Sequence, residues 1–318
     1  MSKVVVISGH PNLDNSYTNA VIIDKLMEKI SDVEVRRLDV LYPDYNIDVN
    51  AEQQALMSAD IVVLQFPFYW YSTPAIMKKW IDDIFTFNFA YGPEGDKLEG
   101  KDFILSFTIG GPEQSYDPLG YNHFTIEQFI KPLQQLAYLA KMNYRLPVYT
   151  HRMIYIPDIY NKLDEVQARA IDHSERLISQ ILSLQNDPDI LLTKFSTKWF
   201  EKMDLLPESS EFFIKYIDDD FEMHMPEGDF NGVEGFNNWY EQARSTFKSP
   251  CQHILEQISV NKSDDQFKVE LRVRVIAETY PESSFKGTSI NILMNESWNL
   301  TVNSNNEIRL HDYKVVAA

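Results

Sequence analysis

The chain reads as an α/β protein in two parts: a doubly wound parallel sheet over residues 1–187, then an α+β domain over 188–318. Three observations predict this. Short, wholly apolar runs alternate with longer amphipathic ones through the first half, the pattern of βαβ units whose strands are buried on both faces. Gln185-Asn186-Asp187-Pro188-Asp189 then breaks the rhythm with a helix-capping Asp and a proline suited to the first turn of a new helix. Beyond it helices come first and long alternating strands afterwards, the order of an α+β domain. At 318 residues the chain is also long for one core.

Taken in order, Val4 to Ile7 is a buried strand, Tyr17 to Ile30 a helix with Ala20, Ile23, Leu26, Met27 and Ile30 on one side, and Val33 to Val40 a second strand. A helix over Ala51 to Ser58 leads to a third strand, Ile61 to Gln65, and a helix over Ala75 to Phe85 to a fourth, Asp102 to Thr108. One long helix, Thr125 to Met142, precedes a fifth strand near Leu146 to Tyr149, and a helix from Asp164 to Leu184 closes the sheet. The second part predicts helices over Ser196 to Leu206, Glu208 to Ile217 and Val233 to Phe247, with Asp218 to Phe230 irregular. Four strands follow, His253 to Val260, Phe267 to Thr279, Ser289 to Val302 and Glu307 to Val316.

Charge narrows the function. With 47 Asp+Glu against 29 Lys+Arg the net charge is −18, spread as −9 on each side of residue 195, so the surface repels nucleic acid and anionic lipid. No run approaches the length of a membrane span, and the apolar run at Val4–Ile7 is too short for a signal peptide. Cys251 is the only cysteine, so no intrachain disulfide forms, and a reducing cytoplasm is the expected compartment. No metal set is expected.

Three loops carry chemistry, each following a strand. Phe66-Pro67-Phe68-Tyr69-Trp70-Tyr71-Ser72-Thr73-Pro74 ends the third strand in aromatic rings, at the carboxyl edge where open parallel sheets bind ligands. A planar aromatic cofactor suits it, although aromatic clusters also cap cores. Gly9-His10-Pro11-Asn12-Leu13-Asp14-Asn15-Ser16-Tyr17-Thr18-Asn19 leads into a helix whose amino end, with Ser16 and Thr18, forms a cradle of monophosphate size. No Lys or Arg stands between Ser8 and Asp24, so phosphate would be held by neutral donors; Ser16 reads equally well as a helix cap. Thr108-Ile109-Gly110-Gly111-Pro112-Glu113-Gln114-Ser115-Tyr116 follows the fourth strand, with paired glycines that let amides approach a ring edge and Tyr116 as a nearby phenol.

These residues, with Lys78-Lys79-Trp80-Ile81-Asp82 and Phe89-Ala90-Tyr91-Gly92, resemble the flavodoxin-like NAD(P)H quinone oxidoreductases of the DT-diaphorase and Kef-ancillary type over roughly residues 3 to 182. The resemblance implies a flavodoxin-like fold and a flavin, FMN in preference to FAD because no insertion suited to an adenosine arm is evident. It implies that His10, Ser16, Tyr17 and Thr18 bind the phosphate and ribityl chain, that Pro67, Phe68, Tyr69 and Trp70 line the ring, and that Gly110, Gly111 and Tyr116 contact its reacting edge, with Thr108 also among the cofactor-binding residues. It further implies ping-pong hydride transfer from NAD(P)H to a quinone, and a homodimer with the site at the subunit boundary. Where some relatives place a His to partner the Tyr, this chain has Asn122 followed by His123.

Glu227-Gly228-Asp229-Phe230-Asn231-Gly232 and a helix carrying Trp239-Tyr240 resemble the SnoaL-like branch of the NTF2-like cone fold over about residues 196 to 316. Such cones enclose a pocket, for which Asp220, His224, His253, Glu270 and Arg272 are the candidate polar residues. On the strand Phe267 to Val275, Lys268, Glu270, Arg272 and Arg274 share the face opposite Val269, Leu271, Val273 and Val275, and that face reads as solvent. Two functions stand: a quinone reductase with an appended pocket domain, or a regulatory flavoprotein that controls a partner such as a Kef-type transporter.

Overall fold

The computed structural model describes residues 2–303 and 306–318, and the chain divides into two compact units, Met1–Ser183 and Leu184–Ala318. In the first, β1 (Val4–Ser8) leads through a 3-10 turn to α1 (Asn19–Lys29) and β2 (Val33–Arg37). Then come α2 (Leu38–Leu41), α3 (Val49–Ser58), β3 (Ile61–Pro67), α4 (Ala75–Ile84) and β4 (Asp102–Thr108). The unit finishes with α5 (Ile126–Phe129), α6 (Lys131–Leu139), β5 (Asn143–Tyr144), β6 (Val148–Thr150) and α7 (Leu163–Gln185). The sheet order is β2-β1-β3-β4-β5, with β6 also on β4 and every pairing parallel. This is the doubly wound order with its reversal between β1 and β3.

Strand alternation sorts the core into two faces. Val5 and Ile7, Val62, Leu64 and Phe66, and Phe103, Leu105 and Phe107 belong to one apolar cluster with Met77, Trp80 and Ile84 of α4. The alternate positions face the other way, and near the carboxyl ends of β1, β3 and β4 they turn polar: Ser8, Gln65 and Ser106 stand in register, all fully buried.

Three elements of the first unit differ from the sequence expectation, each for a local reason. Leu38–Leu41 is a helical turn where a strand to Val40 was expected, because Leu38 is drawn fully into the core. The long helix after Thr125 is two, divided at Ile130, since Pro132 donates no backbone hydrogen bond and crowds the preceding turn. Likewise the fifth strand is two short pieces on either side of Pro147.

The second unit opens with α8 (Pro188–Leu205), capped by the Asp187 carboxylate accepting from Asp189 N–H and ended by Leu206 in the left-handed region. Next are α9 (Glu211–Ile214), β7 (Ile217–Met225), β8 (Gly228–Asn231) and α10 (Gly232–Thr246). β9 (Gln252–Ser263), β10 (Gln266–Glu278), β11 (Ser289–Val302) and β12 (Ile308–Ala317) complete a sheet of order β8-β7-β12-β11-β10-β9. The segment expected to be irregular is therefore a hairpin: the alternation of Phe221 and Met223 inward with Glu222 and His224 outward is a strand period that a run of charges obscured. The turn before β12 falls partly on Ser304 and Asn305, outside the described residues. Among those described, a second core joins Phe195, Trp199 and Phe200 of α8 and Phe236 and Tyr240 of α10 to the inward face of the sheet.

Candidate active site

Because β1, β3, β4 and β6 are parallel, their carboxyl ends and the loops that follow meet at one edge of the sheet. At the first loop, Ser16 Oγ accepts from Asn19 N–H, the first amide of α1, at 3.0 Å, while Thr18 holds the N-cap position without a side-chain cap bond. Thr108 Oγ1, from the end of β4, accepts from Asn19 Nδ2 at 3.0 Å, and Thr18 Oγ1 lies 3.4 Å from the same nitrogen. These three hydroxyls accept and do not donate among the described residues, and Ser8 Oγ and Thr73 Oγ1 are buried with no partner. Unused donors of this kind, beside the unpaired amides at the start of a helix, fit an anionic acceptor.

His10 is half-buried and its Nδ1 accepts from Asn12 N–H at 3.1 Å, so the proton of the neutral ring is on Nε2; burial holds its pKa below the ordinary value, against the pull of Asp39. Tyr17 is spent differently. Its hydroxyl donates to the Tyr155 carbonyl at 2.8 Å and accepts from Tyr155 N–H at 3.0 Å, tying the loop after β6 to the cradle. A cation stands near the loop as well, Arg37, but Asp14 at 2.7 Å and Asp39 at 2.9 Å neutralise it.

The aromatic loop divides by residue. Phe68 is buried on Phe107, Phe129 and Tyr116, so its ring belongs to the core. Tyr69 and Ser72 exchange backbone hydrogen bonds at 3.1 and 3.0 Å, closing a tight turn whose central residues, Trp70 and Tyr71, have φ of 47° and 65°. Two bulky aromatic residues in the left-handed region are costly; Tyr71 is held by stacking on Phe129 with centroids 5.0 Å apart, whereas Trp70 is 92% exposed, so burial of its own ring does not repay the strain.

Gly110 and Gly111 both have ordinary φ, so backbone freedom does not explain them. A Cβ on Gly111 would stand 3.3 Å from both Ser115 Oγ and Tyr116 Cε2, whereas one on Gly110 would meet only Ile154 at 3.6 Å. The space beside Gly110 is thus free for a ligand. Burial pushes the Tyr116 phenol up to about 12, keeping it a neutral donor. Asn122 accepts from Tyr71 OH at 3.0 Å and donates to Ser115 Oγ at 3.1 Å.

Sequence reasoning gave no role to five polar residues in or beneath this edge. His151 packs on Tyr116 with ring centroids 5.3 Å apart, and its Nδ1 donates to the Gly111 carbonyl at 3.2 Å. Gln65 and Ser106 were visible as the polar residues in two otherwise apolar strands; Asn19 and His173 carried no signal that separated them from helix-surface residues.

The candidates of the second unit are not brought together. Glu270 and Arg272 are exposed, paired with Lys268 and Glu256, along an open depression of ≈ 500 Å³ on the outer sheet face. Asp220 is exposed, and His224 lies outward between Asp229, Glu222 and Asp312. His253 is held by Asp204 at 2.6 Å and stacks on Phe200. Among the described residues of this unit, the buried carboxyl group is one the sequence did not single out: Glu296, beside Trp298 and Tyr313, raised by burial to about 7.

The flavodoxin-like fold family matches residues 2–173, and the chain belongs to that family. The uncharacterised NAD(P)H oxidoreductase YdeQ of Bacillus subtilis is 36% identical over 203 residues, 64% of this chain and 98% of that protein. KefF, an ancillary protein of the glutathione-regulated potassium-efflux system of an Enterobacter species, is 37% identical over 55% of this chain and 95% of its own length. The crystal structure of general stress protein 14 from Treponema denticola in complex with FMN is 29% identical, with a TM-score of 0.51 over 56% of this chain and 98% of that one. An NTF2-like superfamily protein of Salmonella enterica covers 40% of this chain at 14% identity and a TM-score of 0.35.

Proposed function

We propose that this protein is an FMN-dependent NAD(P)H oxidoreductase that passes hydride to a quinone-like acceptor, with its chemistry confined to residues 1–187. The observation that carries the reading is the meeting, at one sheet edge, of three hydroxyls with unused hydrogens, a strained and exposed Trp70, and open space at Gly110. The relatives support it: 64% of the chain matches a protein named as an NAD(P)H oxidoreductase, and a solved relative binds FMN.

A bound flavin supplies the hydride acceptor and donor. Ser16, Thr18 and Thr108 hold its phosphate with the amino end of α1, and His10 Nε2–H adds a donor along the ribityl chain. Pro67 to Trp70 form the wall, with Tyr69 and Trp70 giving rings and Phe68 giving backbone. The Gly110 and Gly111 amides stabilise charge on the ring, and Tyr116 donates to the reacting edge, oriented by His151 in place of the partner that Asn122 cannot be. NAD(P)H and acceptor use one place in turn, and the exposed Trp70 turn is the surface a second copy covers. The test is a visible spectrum after reconstitution with FMN or FAD and desalting, then double-reciprocal plots with NAD(P)H and a small quinone. Parallel lines are expected; intersecting lines exclude a shared site, and a colourless protein excludes the flavin.

The Kef-ancillary relatives favour a second reading, a flavoprotein that controls a membrane transporter, with the second unit used for docking or dimerisation. Fast quinone turnover argues for the enzyme; bound flavin without turnover argues for the regulator.

A further inference from the structure

Beneath the cradle runs a chain of buried polar groups that the proposed chemistry does not use. Arg176 Nη2 donates to Thr150 Oγ1 at 2.6 Å, and Thr150 Oγ1 is 2.9 Å from His173 Nδ1. His173 Nε2 is 2.8 Å from Ser106 Oγ, which donates to Gln65 Oε1 at 2.5 Å. Gln65 Nε2 donates to Asn19 Oδ1 at 2.8 Å, and Asn19 Nδ2 reaches Thr108, Thr18 and Ser16 at 3.0, 3.4 and 3.5 Å. His173, Ser106, Gln65 and Asn19 are at most 1% exposed.

The direction of this chain is determined at Ser106. Its one hydrogen goes to Gln65 Oε1, so it accepts from His173, which carries its proton on Nε2. The neutral ring then accepts at Nδ1 from the Thr150 hydroxyl, whose oxygen accepts from Arg176, and the two amides pass the polarity on. Each of the last three hydroxyls receives, and its own hydrogen is left for whatever occupies the cradle. Burial keeps His173 neutral, with a pKa near 3, so acidification does not reverse the chain in the ordinary range.

We propose that His173 is a positioning residue which, through Ser106, Gln65 and Asn19, holds Ser16, Thr18 and Thr108 as hydrogen donors and thereby selects a flavin bearing a phosphomonoester over its phosphate-free form. This rests on the reading that the cradle takes the FMN phosphate. The cradle loop has no Lys or Arg and Arg37 beside it is paired with Asp14 and Asp39, so the hydroxyls matter: one free to turn presents a lone pair as readily as a hydrogen, whereas one that already accepts from Asn19 is biased to turn its hydrogen toward a dianion.

The test compares FMN with riboflavin, which shares the ring and lacks the phosphate, on the full-length protein. Wild type is expected to prefer FMN. His173→Phe should raise the FMN Kd about tenfold, the scale of one hydrogen bond to a charged group, with riboflavin changed less than about twofold. His173→Gln, which can donate to Ser106 and accept from Thr150, should restore most of the preference. Ser106→Ala interrupts the chain by deleting one atom and should show the same split even where the larger replacement does not fold. Parallel weakening of FMN and riboflavin, or an unchanged FMN Kd in both broken variants, overturns the proposal and leaves the flavin reading standing. A wild type that binds neither ligand removes the flavin reading itself.

Discussion

Each unit buries a titratable side chain at its centre, and the two are handled in opposite ways. His173 in the first unit has a hydrogen-bond partner on each ring nitrogen, and those partners continue as a chain to the edge of the sheet. Glu296 in the second is enclosed by Trp298 and Tyr313, within reach of the charge of His253. Burial lowers the first and raises the second, so each is pushed toward its neutral form. On the function proposed above, the contrast is that the partners of His173 lead to unspent donors at a surface. Glu296 has no such continuation among the described residues.

The sharpest test of that difference is at the cradle. Ser16→Asp replaces an oriented donor with a carboxylate facing the phosphate and should weaken FMN at least about a hundredfold, to the point of loss on desalting. Retention of yellow colour would place the phosphate elsewhere and dissolve the contrast.

Stability against pH should separate the units by sign. Between 6.5 and about 3 the unfolded chain takes up a proton that folded His173 refuses, so the first unit loses stability as pH falls. Between 4.5 and about 7 folded Glu296 keeps a proton that the unfolded chain has released; the second unit therefore loses stability as pH rises and levels off above 7. Thermal unfolding of Glu296→Gln should lack the second slope, an effect on the order of a few kcal/mol. If that variant keeps the slope, another group is responsible.

Smaller effects are expected at the reacting edge. Tyr116→Phe should slow flavin reduction no more than roughly ten- to a hundredfold, because the glycine amides remain. His151→Asn should cost less, and little more in the Tyr116→Phe background if the two act together. Rapid-mixing measurement of flavin reduction reads both. Smallest of all should be the effect of removing the second unit: residues 1–187 alone should bind FMN and be reduced by NAD(P)H almost as in the full chain, with any change confined to acceptor KM. A colourless or insoluble fragment would show that the units share a core.

Much of the fold was legible in the sequence because its signals are local. Apolar runs named β1, β3 and β4 with errors of a residue or two, since a strand buried on both faces has no other pattern. The breaks at Ile130 and Pro147 were also written in the prolines and were missed by reading through them. The hairpin at Ile217–Asn231 was hidden because charges on its outer face diluted the alternation. Of the site, the loops were found by their position after strands, and Ser16, Trp70, Gly110 and Tyr116 were named from residue type alone.

What the sequence by itself determined is the class of each half and the position of the three loops proposed to carry chemistry, because periodicity and turn chemistry act over a few residues. Only the tertiary structure decided that Phe68 turns into the core while Trp70 stands exposed, that His151 takes the place beside Tyr116, and that Arg176 and Asn19 end one chain. Those choices depend on which side chains meet across strands and helices far apart in sequence. Direction in a hydrogen-bond chain is set only when all its members are in place.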